Sequence, residues 1–239
     1  MLEITSKSNQ KIKDASSLKM KKTRLEKGLF LMEGIKNLDM ALKYGNVKTI
    51  FTSIGLPKLG QDIETYKVND EIIRKLAASE NPEGVVFICE NLKPKKDKKD
   101  YHKILYLDHI NDPGNLGTMI RTAVAFEYDA VIMSEGACDL YNEKVIAASK
   151  GSIFLIDCLY DDITSYHKPI IVSVLDEDTI PLRNAKPMKD FVLVIGNESH
   201  GVSEELITKA SQKVKIEMSD KIDSLNAAIA AGILMNHYK

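Results

Sequence analysis

The chain has 239 residues and a formal net charge of −1, so it is long enough for one large domain or two modest ones. Its 44% of apolar residues allow a packed core, and the charge excludes a surface that is uniformly basic. The three cysteines, Cys89, Cys138 and Cys158, form no CxxC pair, and their odd number excludes a simple disulfide framework. The first residues are polar, and no apolar run is long enough to span a membrane. We therefore expect a protein that is not exported and that works in the cytoplasm.

Basic residues are concentrated near the start of the chain. Asp14 and Glu26 are the only acidic residues between positions 7 and 27, and the basic ones are Lys7, Lys11, Lys13, Lys19, Lys21, Lys22, Arg24 and Lys27. The residues from Ile12 to Lys27 have the spacing of one helix with a basic outer face. A solvated helix face and a phosphate-binding face both account for this run, and the two interpretations stay open.

Strand and helix patterns alternate up to residue 90. Apolar runs predict strands at 29–34, 47–53, 65–68 and 84–90, and helical spacing covers 35–44 and 70–79. Residues 91–103 contain Pro94 and a lysine run and have the composition of a linker. These patterns predict a smaller α/β domain over residues 1–90, followed by a basic linker over 91–103.

The alternation resumes at residue 104 and continues to the C-terminus. Strands are predicted at ILYLDHI (104–110), AVIM (130–133), IFLI (153–156), PIIVSVL (169–175), FVLVIG (191–196) and VKIEM (214–218), and the last helix at about 224–238. Several of these strands are apolar throughout, which is typical of a parallel sheet covered by helices on both faces. Residues 104–239 are therefore predicted to form a second α/β domain.

Three segments of this second domain place polar residues just after a predicted strand. They are HINDPGNLGTMIRTA, with Asn115 and Arg121; VLVIGNESHGVSEEL, with Gly196 and Glu198; and VKIEMSDKIDSLNAAIAAGIL, with Ser224, Leu225 and Asn226. Ligands of open α/β sheets bind at the carboxyl ends of strands, so these segments are candidates for a site. Each segment alone also makes an ordinary turn or helix cap. The sequence has no phosphate-binding loop, dinucleotide fingerprint, nucleophile elbow or zinc motif, and we expect no metal.

Together the three segments resemble the motifs of the SpoU (TrmH-like) family of RNA ribose methyltransferases, within the SPOUT superfamily. Residues 1–90 are similar to the substrate-binding domain of the branch that modifies ribosomal RNA, through the stretches at 8–34 and 79–88. The resemblance implies a deep trefoil knot in the second domain, a homodimer and S-adenosylmethionine as cofactor. It implies methyl transfer to a ribose 2′-hydroxyl of RNA, most simply ribosomal RNA.

The resemblance also assigns residues. The implied cofactor-binding residues are Leu175, Gly196, Ile216 and Leu225. The implied catalytic residues are Asn115, Arg121, Glu198, Ser224 and Asn226, with Arg121 acting in the site of the other subunit. The residues expected to bind RNA are Lys11, Lys13, Lys21, Lys22 and Arg24. For Ile216 and Leu225, ordinary core packing would explain the residue type equally well.

The role of Arg121 follows from its chemistry. A guanidinium stays protonated and cannot act as an unaided base, so we expect Arg121 to hold a phosphate or the developing alkoxide. The proton would then go to a phosphate oxygen, to Glu198 or to water, or Glu198 would only orient Arg121 and Asn115. Two alternatives stay open: a non-catalytic RNA-binding or ribosome-assembly factor on the same fold, and methylation of a base.

Overall fold

The structure, a computed structural model, describes residues 2–57, 59, 62–174 and 178–239. Its strands are β1 (Leu2–Ile4), β2 (Leu29–Glu33), β3 (Val47–Thr52), β4 (Glu64–Val68), β5 (Val85–Glu90), β6 (Lys103–Leu107), β7 (Ala130–Met133), β8 (Asp157–Tyr160), β9 (Ile170–Ser173), β10 (Ile180–Pro181), β11 (Phe191–Ile195) and β12 (Gln212–Lys215). Its α-helices are α1 (Gln10–Ser17), α2 (Lys21–Lys27), α3 (Ile35–Tyr44), α4 (Asp70–Leu76), α5 (Pro113–Ala125), α6 (Glu143–Ser149), α7 (Glu204–Lys209) and α8 (Ala227–His237).

The chain forms two compact units. The first contains Met1–Lys93 and Tyr141–Phe154, and the second contains Pro94–Leu140 and Leu155–Lys239. The segment Tyr141–Phe154, which includes α6, thus packs with the N-terminal part of the chain. The composition of this segment does not indicate that it packs with the first unit. The domain limits predicted at residues 90 and 104 assumed that each domain is one continuous stretch of chain.

The first unit is built on a mixed five-stranded sheet in the order β1-β4-β3-β5-β2. Strands β1, β4 and β3 are parallel, whereas β5 runs antiparallel to both β3 and β2. Buried residues of α1 and α4, among them Ile12, Ile72 and Leu76, pack on one face of the sheet with Phe51. Strand β1 was not predicted, because three residues with two exposed side chains leave no apolar pattern.

The single helix predicted from Ile12 to Lys27 is wrong, since α1 ends at Ser17 and α2 begins at Lys21. Arg24 explains the break. Its side chain is 5% exposed, and its guanidinium donates to the carbonyls of Leu18 at 2.8 Å and Lys19 at 2.7 Å. These carbonyls lie between the two helices, so a buried arginine satisfies groups that a continuous helix would bond internally.

The second unit has a seven-stranded sheet in the order β10-β12-β9-β11-β6-β7-β8. Every pair of neighbouring strands is parallel. All residues of β11 and β7 are buried, as expected for a sheet with helices on both faces. The predicted α/β class with a parallel sheet is confirmed.

Two predicted elements of the second domain differ in detail. The run at 153–156 is not a strand: Ser152–Phe154 forms a 3-10 turn with Ile153 and Phe154 buried, and the strand β8 starts at Asp157. A short apolar run has no periodicity that separates a buried turn from a buried strand. The last helix begins at Ala227 rather than at residue 224, because Asn226 is its N-cap.

Candidate active site

The strand order of the second unit reverses between β6 and β11. Strand β7 lies on one side of β6 and β11 on the other, and their carboxyl ends are level because Ile195 pairs with Leu107. The N–H of Asp108 donates to the carbonyl of Ile195 at 2.9 Å, which extends this pairing beyond the strands. A reversal of this kind leaves a crevice at the carboxyl ends of the strands, where ligands of α/β proteins bind.

Three of the predicted catalytic residues meet at this position. The Nδ2 atom of Asn115 donates to Oε1 of Glu198 at 3.0 Å, and Nδ2 of Asn226 donates to Oδ1 of Asn115 at 2.9 Å. We call Asn115, Glu198 and Asn226 the switch-point cluster. Each member comes from a different one of the three polar segments, so the fold brings together residues that are far apart in the sequence.

Helix capping fixes two members of the switch-point cluster. Asp112 is the N-cap of α5, and its Oδ1 accepts the N–H of Asn115 at 2.7 Å. Asn226 is the N-cap of α8, and its Oδ1 accepts the N–H groups of Ala228 and Ile229 at 2.9 and 3.2 Å. The cap uses only the oxygen of the Asn226 amide, so its NH₂ group is available to Asn115.

Glu198 also faces the main chain that follows β6. Its Oε1 lies 3.4 Å from the N of Asp112 and its Oε2 lies 3.5 Å from the N of Asn111, both long hydrogen bonds. With the bond from Asn115, the carboxylate faces three N–H groups of the segment from Asn111 to the first turn of α5. This arrangement supports a role in holding the loop at the start of α5.

Asn197 joins the same two loops. Its Nδ2 donates to the carbonyl of His109 at 2.7 Å, and its Oδ1 accepts the N–H of Ser199 at 2.9 Å. The main chains of Asn197 and Gly201 also exchange two hydrogen bonds of 2.9 Å. The turn that carries Glu198 is therefore closed on itself and tied to the loop after β6.

Asp108 is a positioning residue that sequence reasoning missed. It is 3% exposed, its Oδ2 accepts the N–H of Ser203 at 2.8 Å, and its Oδ1 lies 2.7 Å from Nδ1 of His109. His109 has a φ of +55°, and its N–H donates to the hydroxyl of Ser134 at 2.8 Å. The sequence feature that could have identified Asp108 is a charged residue at the end of an apolar strand.

Gly196 permits a close approach of two main-chain segments, and replacing it is expected to disrupt the second unit. A methyl group at this position would overlap main-chain atoms of Gly201 and Val202. We expect Gly196→Ala to lower the free energy of unfolding by about 3 kcal/mol, because backbone held by paired hydrogen bonds cannot move aside. Urea unfolding measures this effect. Gly55→Ala is the matched control, since open space surrounds that position, and equal unfolding of the two variants would contradict the prediction.

The segment between β12 and α8 carries the other residues predicted to bind the cofactor. Ile216 and Leu225 are half-buried, and Leu175 lies outside the described residues. Among the described residues, the main chain from Ile216 to Leu225 has one main-chain hydrogen bond, from Ile222 to Ser219 at 3.4 Å, and one side-chain bond, from the N–H of Lys221 to the hydroxyl of Ser219. The segment therefore presents free N–H and C=O groups beside two apolar side chains.

Arg121 and Ser224 are exposed, and among the described residues neither side chain is hydrogen-bonded to the switch-point cluster. Within the described part of the chain, neither side chain has a hydrogen bond or an ion pair. Arg121 lies six residues after Asn115 on α5, which turns it about 240° around the helix axis. The two side chains therefore leave the helix in different directions, and one copy of the chain does not bring them together.

The predicted RNA-binding residues lie on α1 and α2 of the first unit. Lys11, Lys13, Lys21 and Lys22 are exposed, and Lys11 pairs with Glu64 at 2.8 Å. Arg24 is instead buried, with its guanidinium bonded to the main chain. In the second unit, Lys96 pairs with Asp129 at 2.7 Å and Lys98 pairs with Asp161, so these linker lysines are less available to RNA than the sequence suggested.

The cysteines have no cysteine partner. Cys89, Cys138 and Cys158 form no disulfide, and burial raises the pKa of Cys89 to about 12. No group of three metal-ligating side chains is found among the residues that the structure describes. A search of the described helices finds none that is long and apolar enough to cross a membrane.

The chain combines a second unit that has an all-parallel sheet and a polar cluster at its switch point with a first unit built on a mixed sheet, which defines a two-unit α/β protein with a candidate site on the second unit. Comparison with known proteins identifies the family. Residues 102–236 match the SpoU rRNA Methylase family, and residues 9–86 match the MRM3-like substrate binding domain. The chain belongs to the SpoU rRNA Methylase family, which confirms the predicted enzyme class, an S-adenosylmethionine-dependent RNA methyltransferase.

Individual relatives are similar over the full chain. The 23S rRNA (guanosine(2553)-2'-O)-methyltransferase RlmP of Bacillus subtilis is 32% identical over 250 residues, covering 100% of both chains. The AdoMet-bound rRNA methyltransferase of Sinorhizobium meliloti is 29% identical with a TM-score of 0.89, covering 99% of this chain and 96% of that one. The SpoU methyltransferase AviRb of Streptomyces viridochromogenes, 24% identical with a TM-score of 0.83 over 96% of this chain and 97% of its own, shows the shared fold.

Proposed function

We propose that the switch-point cluster of one subunit and Arg121 of a second copy act together in the transfer of a methyl group from S-adenosylmethionine to a ribose 2′-hydroxyl of ribosomal RNA. The observation that supports this most directly is the hydrogen-bonded junction of Asn115, Glu198 and Asn226. The full-length similarity to a 23S rRNA 2'-O-methyltransferase supports the substrate and the position methylated.

The residues near the switch point fit S-adenosylmethionine. Gly196 keeps the end of β11 free of a side chain, and Ile216 and Leu225 offer half-buried apolar surface for an adenine ring. The free main-chain groups of residues 216–225 suit the polar edge of the base and the ribose hydroxyls. When bound, the cofactor supplies a methyl group made reactive by a positively charged sulfur. We propose that Gly196, Ile216, Leu225 and, outside the described residues, Leu175 hold it.

Within the proposed site, Arg121 provides a fixed positive charge. Its guanidinium has no partner among the described residues, so it is free to bind a phosphate oxygen and the 2′-oxygen of the target nucleotide by charge-assisted hydrogen bonds. Ser224, exposed just before Asn226, is placed to contact the same nucleotide. Holding the hydroxyl in line with the methyl group lowers the activation barrier by several kcal/mol.

We assign Glu198 a positioning role. Its carboxylate accepts the side-chain N–H of Asn115 at 3.0 Å and faces the N–H groups of Asp112 and Asn111 at 3.4 and 3.5 Å, so both of its oxygens are engaged with the segment that leads into α5. The 2′-hydroxyl proton then goes to a phosphate oxygen of the RNA or to water. Asn115, held by both Glu198 and Asn226, keeps one orientation at the start of α5.

A homodimer would place Arg121 in the partner's site. Helices α5 and α8 pack together at Thr122 and Gly232, and α8 leaves Ile229 and Ile233 56% and 40% exposed. Exposed isoleucines beside small residues form a face suited to a second copy. We propose that two copies meet on this face. The trefoil knot implied by the family resemblance also stays a prediction.

The first unit is proposed to bind the RNA. Lys13 and Lys21 are exposed and have no ion pair among the described residues, as expected for phosphate-binding lysines. Lys22 is exposed and has a long ion pair with Glu26 at 3.9 Å. We propose the cytoplasm as the site of action, which fits three cysteines that form no disulfide.

Transfer of labelled methyl from S-adenosylmethionine to unmodified total RNA, followed by nucleoside analysis, tests the proposal. We expect label in a 2′-O-methylnucleoside of ribosomal RNA. Label in a methylated base would indicate base methylation. No transfer, with binding of cofactor and RNA both intact, would instead support a ribosome-assembly factor on this fold.

A further inference from the structure

The first unit contains a cavity of about 400 Å³. It lies among the end of β2, the first turn of α3, the loop at 77–83 and the helix α6. All its lining residues belong to the first unit, including Tyr141 and Ile146 from the excursion of the chain. The volume is within the range of small-ligand sites, which is roughly 300–1,000 Å³.

The lining combines apolar walls with polar side chains. Met32, Leu76, Val86 and Ile146 are buried and line the cavity. The polar side chains on the lining include Asn37 and Asn81. A nucleobase needs this combination, because its faces pack on apolar or aromatic groups while its edges form hydrogen bonds.

Lysines at the cavity supply positive charge. Lys36 and Lys150 are exposed lining residues, and neither has an ion pair or hydrogen bond within the described part of the chain. Lys19, also on the lining, donates to the carbonyl of Ala77 at 2.7 Å. Free lysines beside an apolar interior are suited to a ligand with an uncharged ring and an anionic group.

Two of the three acidic residues on the lining are engaged with the main chain. The carboxylate of Glu33 accepts the N–H groups of Ala78 and Ser79, both at 3.1 Å. The carboxylate of Glu83 accepts the N–H of Ile35 at 3.1 Å. Glu143 lies in the first turn of α6, where the helix dipole favours a negative charge. The negative charge of these carboxylates is therefore partly balanced by main-chain N–H groups, and it reduces the positive potential of the lysines less than three free carboxylates would.

We propose that this cavity binds an unpaired nucleotide of the RNA, with the base inside and a phosphate on Lys36 and Lys150. The inference rests on the proposed function for its RNA ligand. Continuity with the basic helices favours RNA over a free nucleotide: Leu18 and Lys19 line the cavity and lie in the short connection to α2, which begins with Lys21 and Lys22. A strand of RNA crossing this surface would reach both the lysines and the cavity mouth.

Two variants of the full chain test the proposal. Ala147→Phe fills the cavity from an exposed lining position on α6, and the double variant Lys36→Gln, Lys150→Gln removes the free charges. Lys144→Gln is the matched control, because Lys144 is exposed on the same helix and does not line the cavity. Thermal unfolding verifies that each variant is folded.

The probes are a fluorescein-labelled hexamer of adenylate RNA and a blunt RNA duplex, titrated at one fixed salt concentration. We expect both cavity variants to bind the hexamer about tenfold more weakly, since the first fills the space for one base and the second removes two contacts to phosphate. Binding of the duplex, which has no unpaired nucleotide, should change less than about twofold, and Lys144→Gln should resemble the wild type.

Three results would overturn the proposal: a wild type that does not bind the hexamer, unchanged hexamer binding in both variants, or equal losses for hexamer and duplex. The last result would mean that the lysines bind phosphates without the cavity. The titration needs neither cofactor nor methyl transfer, so a failure of the proposed reaction in the labelling experiment would be seen separately.

Discussion

Arg121→Ala is expected to lower the rate of methyl transfer by about 10³-fold, while the stability of the chain stays unchanged. Removing one donor that stabilises developing charge costs about 10²–10³ in rate, and the same side chain would also position the nucleotide. Arg121 is exposed and has no partner among the described residues, so nothing in the fold depends on it. Single-turnover transfer of labelled methyl to ribosomal RNA measures the effect, with binding of the cofactor measured in parallel.

Two further variants test whether the loss of activity is specific to the guanidinium of Arg121. Arg74→Ala removes an exposed arginine from α4 and should keep nearly full activity. Arg121→Lys keeps the charge but loses the planar fork, so a loss of about 10²-fold is expected if the guanidinium binds two oxygens at once. Substantial activity in Arg121→Lys would rule out the bidentate clamp.

Mixed dimers distinguish action within one subunit from action across two. An Arg121→Ala subunit keeps its switch-point cluster, and an Asn226→Ala subunit keeps its arginine. If Arg121 acts in the partner's site, a dimer of the two variants regains one complete site and about half of the wild-type activity. Co-expressed, differently tagged chains provide the sample, and a mixture as inactive as its parents would place Arg121 in its own subunit's site.

Glu198→Ala is expected to lower methyl transfer by about 10²-fold through the loss of a positioning residue. The carboxylate accepts the amide of Asn115 at 3.0 Å and faces two main-chain N–H groups. Hydrogen bonds to a charged group contribute about 1.5–3 kcal/mol, and their loss frees the start of α5. The comparison of kcat with KM for ribosomal RNA at several pH values measures the effect.

Glu198→Gln separates positioning from proton transfer. Glutamine keeps one oxygen that can accept from Asn115, so about a tenth or more of the activity should remain with an unchanged pH profile. Glu135→Ala, an exposed carboxylate of the same unit, serves as the control. A Gln variant as inactive as the Ala variant, with an altered pH profile, would make Glu198 the proton acceptor.

The sequence predicted the parallel sheet and the three polar segments because each has a local signal. Apolar runs such as FVLVI mark buried parallel strands, and Asp112 and Pro113 mark the turn that leads into a helix. The meeting of Asn115, Glu198 and Asn226 has no local signal, since it depends on β11 inserting beside β6. Family resemblance supplied that grouping, and residue spacing could not.

Other features were missed because long-range contacts decide them. The break between α1 and α2 depends on the hydrogen bonds from the guanidinium of Arg24 to the carbonyls of Leu18 and Lys19. From the sequence alone, Arg24 was counted with the basic residues of the surface. The role of Asp108 depends on the N–H of Ser203 from a distant loop. Neither contact leaves a pattern in the neighbouring residues.

Because the segment Tyr141–Phe154 belongs to the first unit, the folding of that unit depends on a part of the chain that is synthesised late. Tyr141 stacks on Phe30 with ring centroids 4.5 Å apart, and its hydroxyl accepts the N–H of Leu92 at 2.7 Å. During synthesis the N-terminal sheet therefore stays without part of its packing until residue 154 has left the ribosome. By then β6 and β7 of the second unit have been synthesised, so the first unit cannot complete its packing before part of the second unit's chain is present.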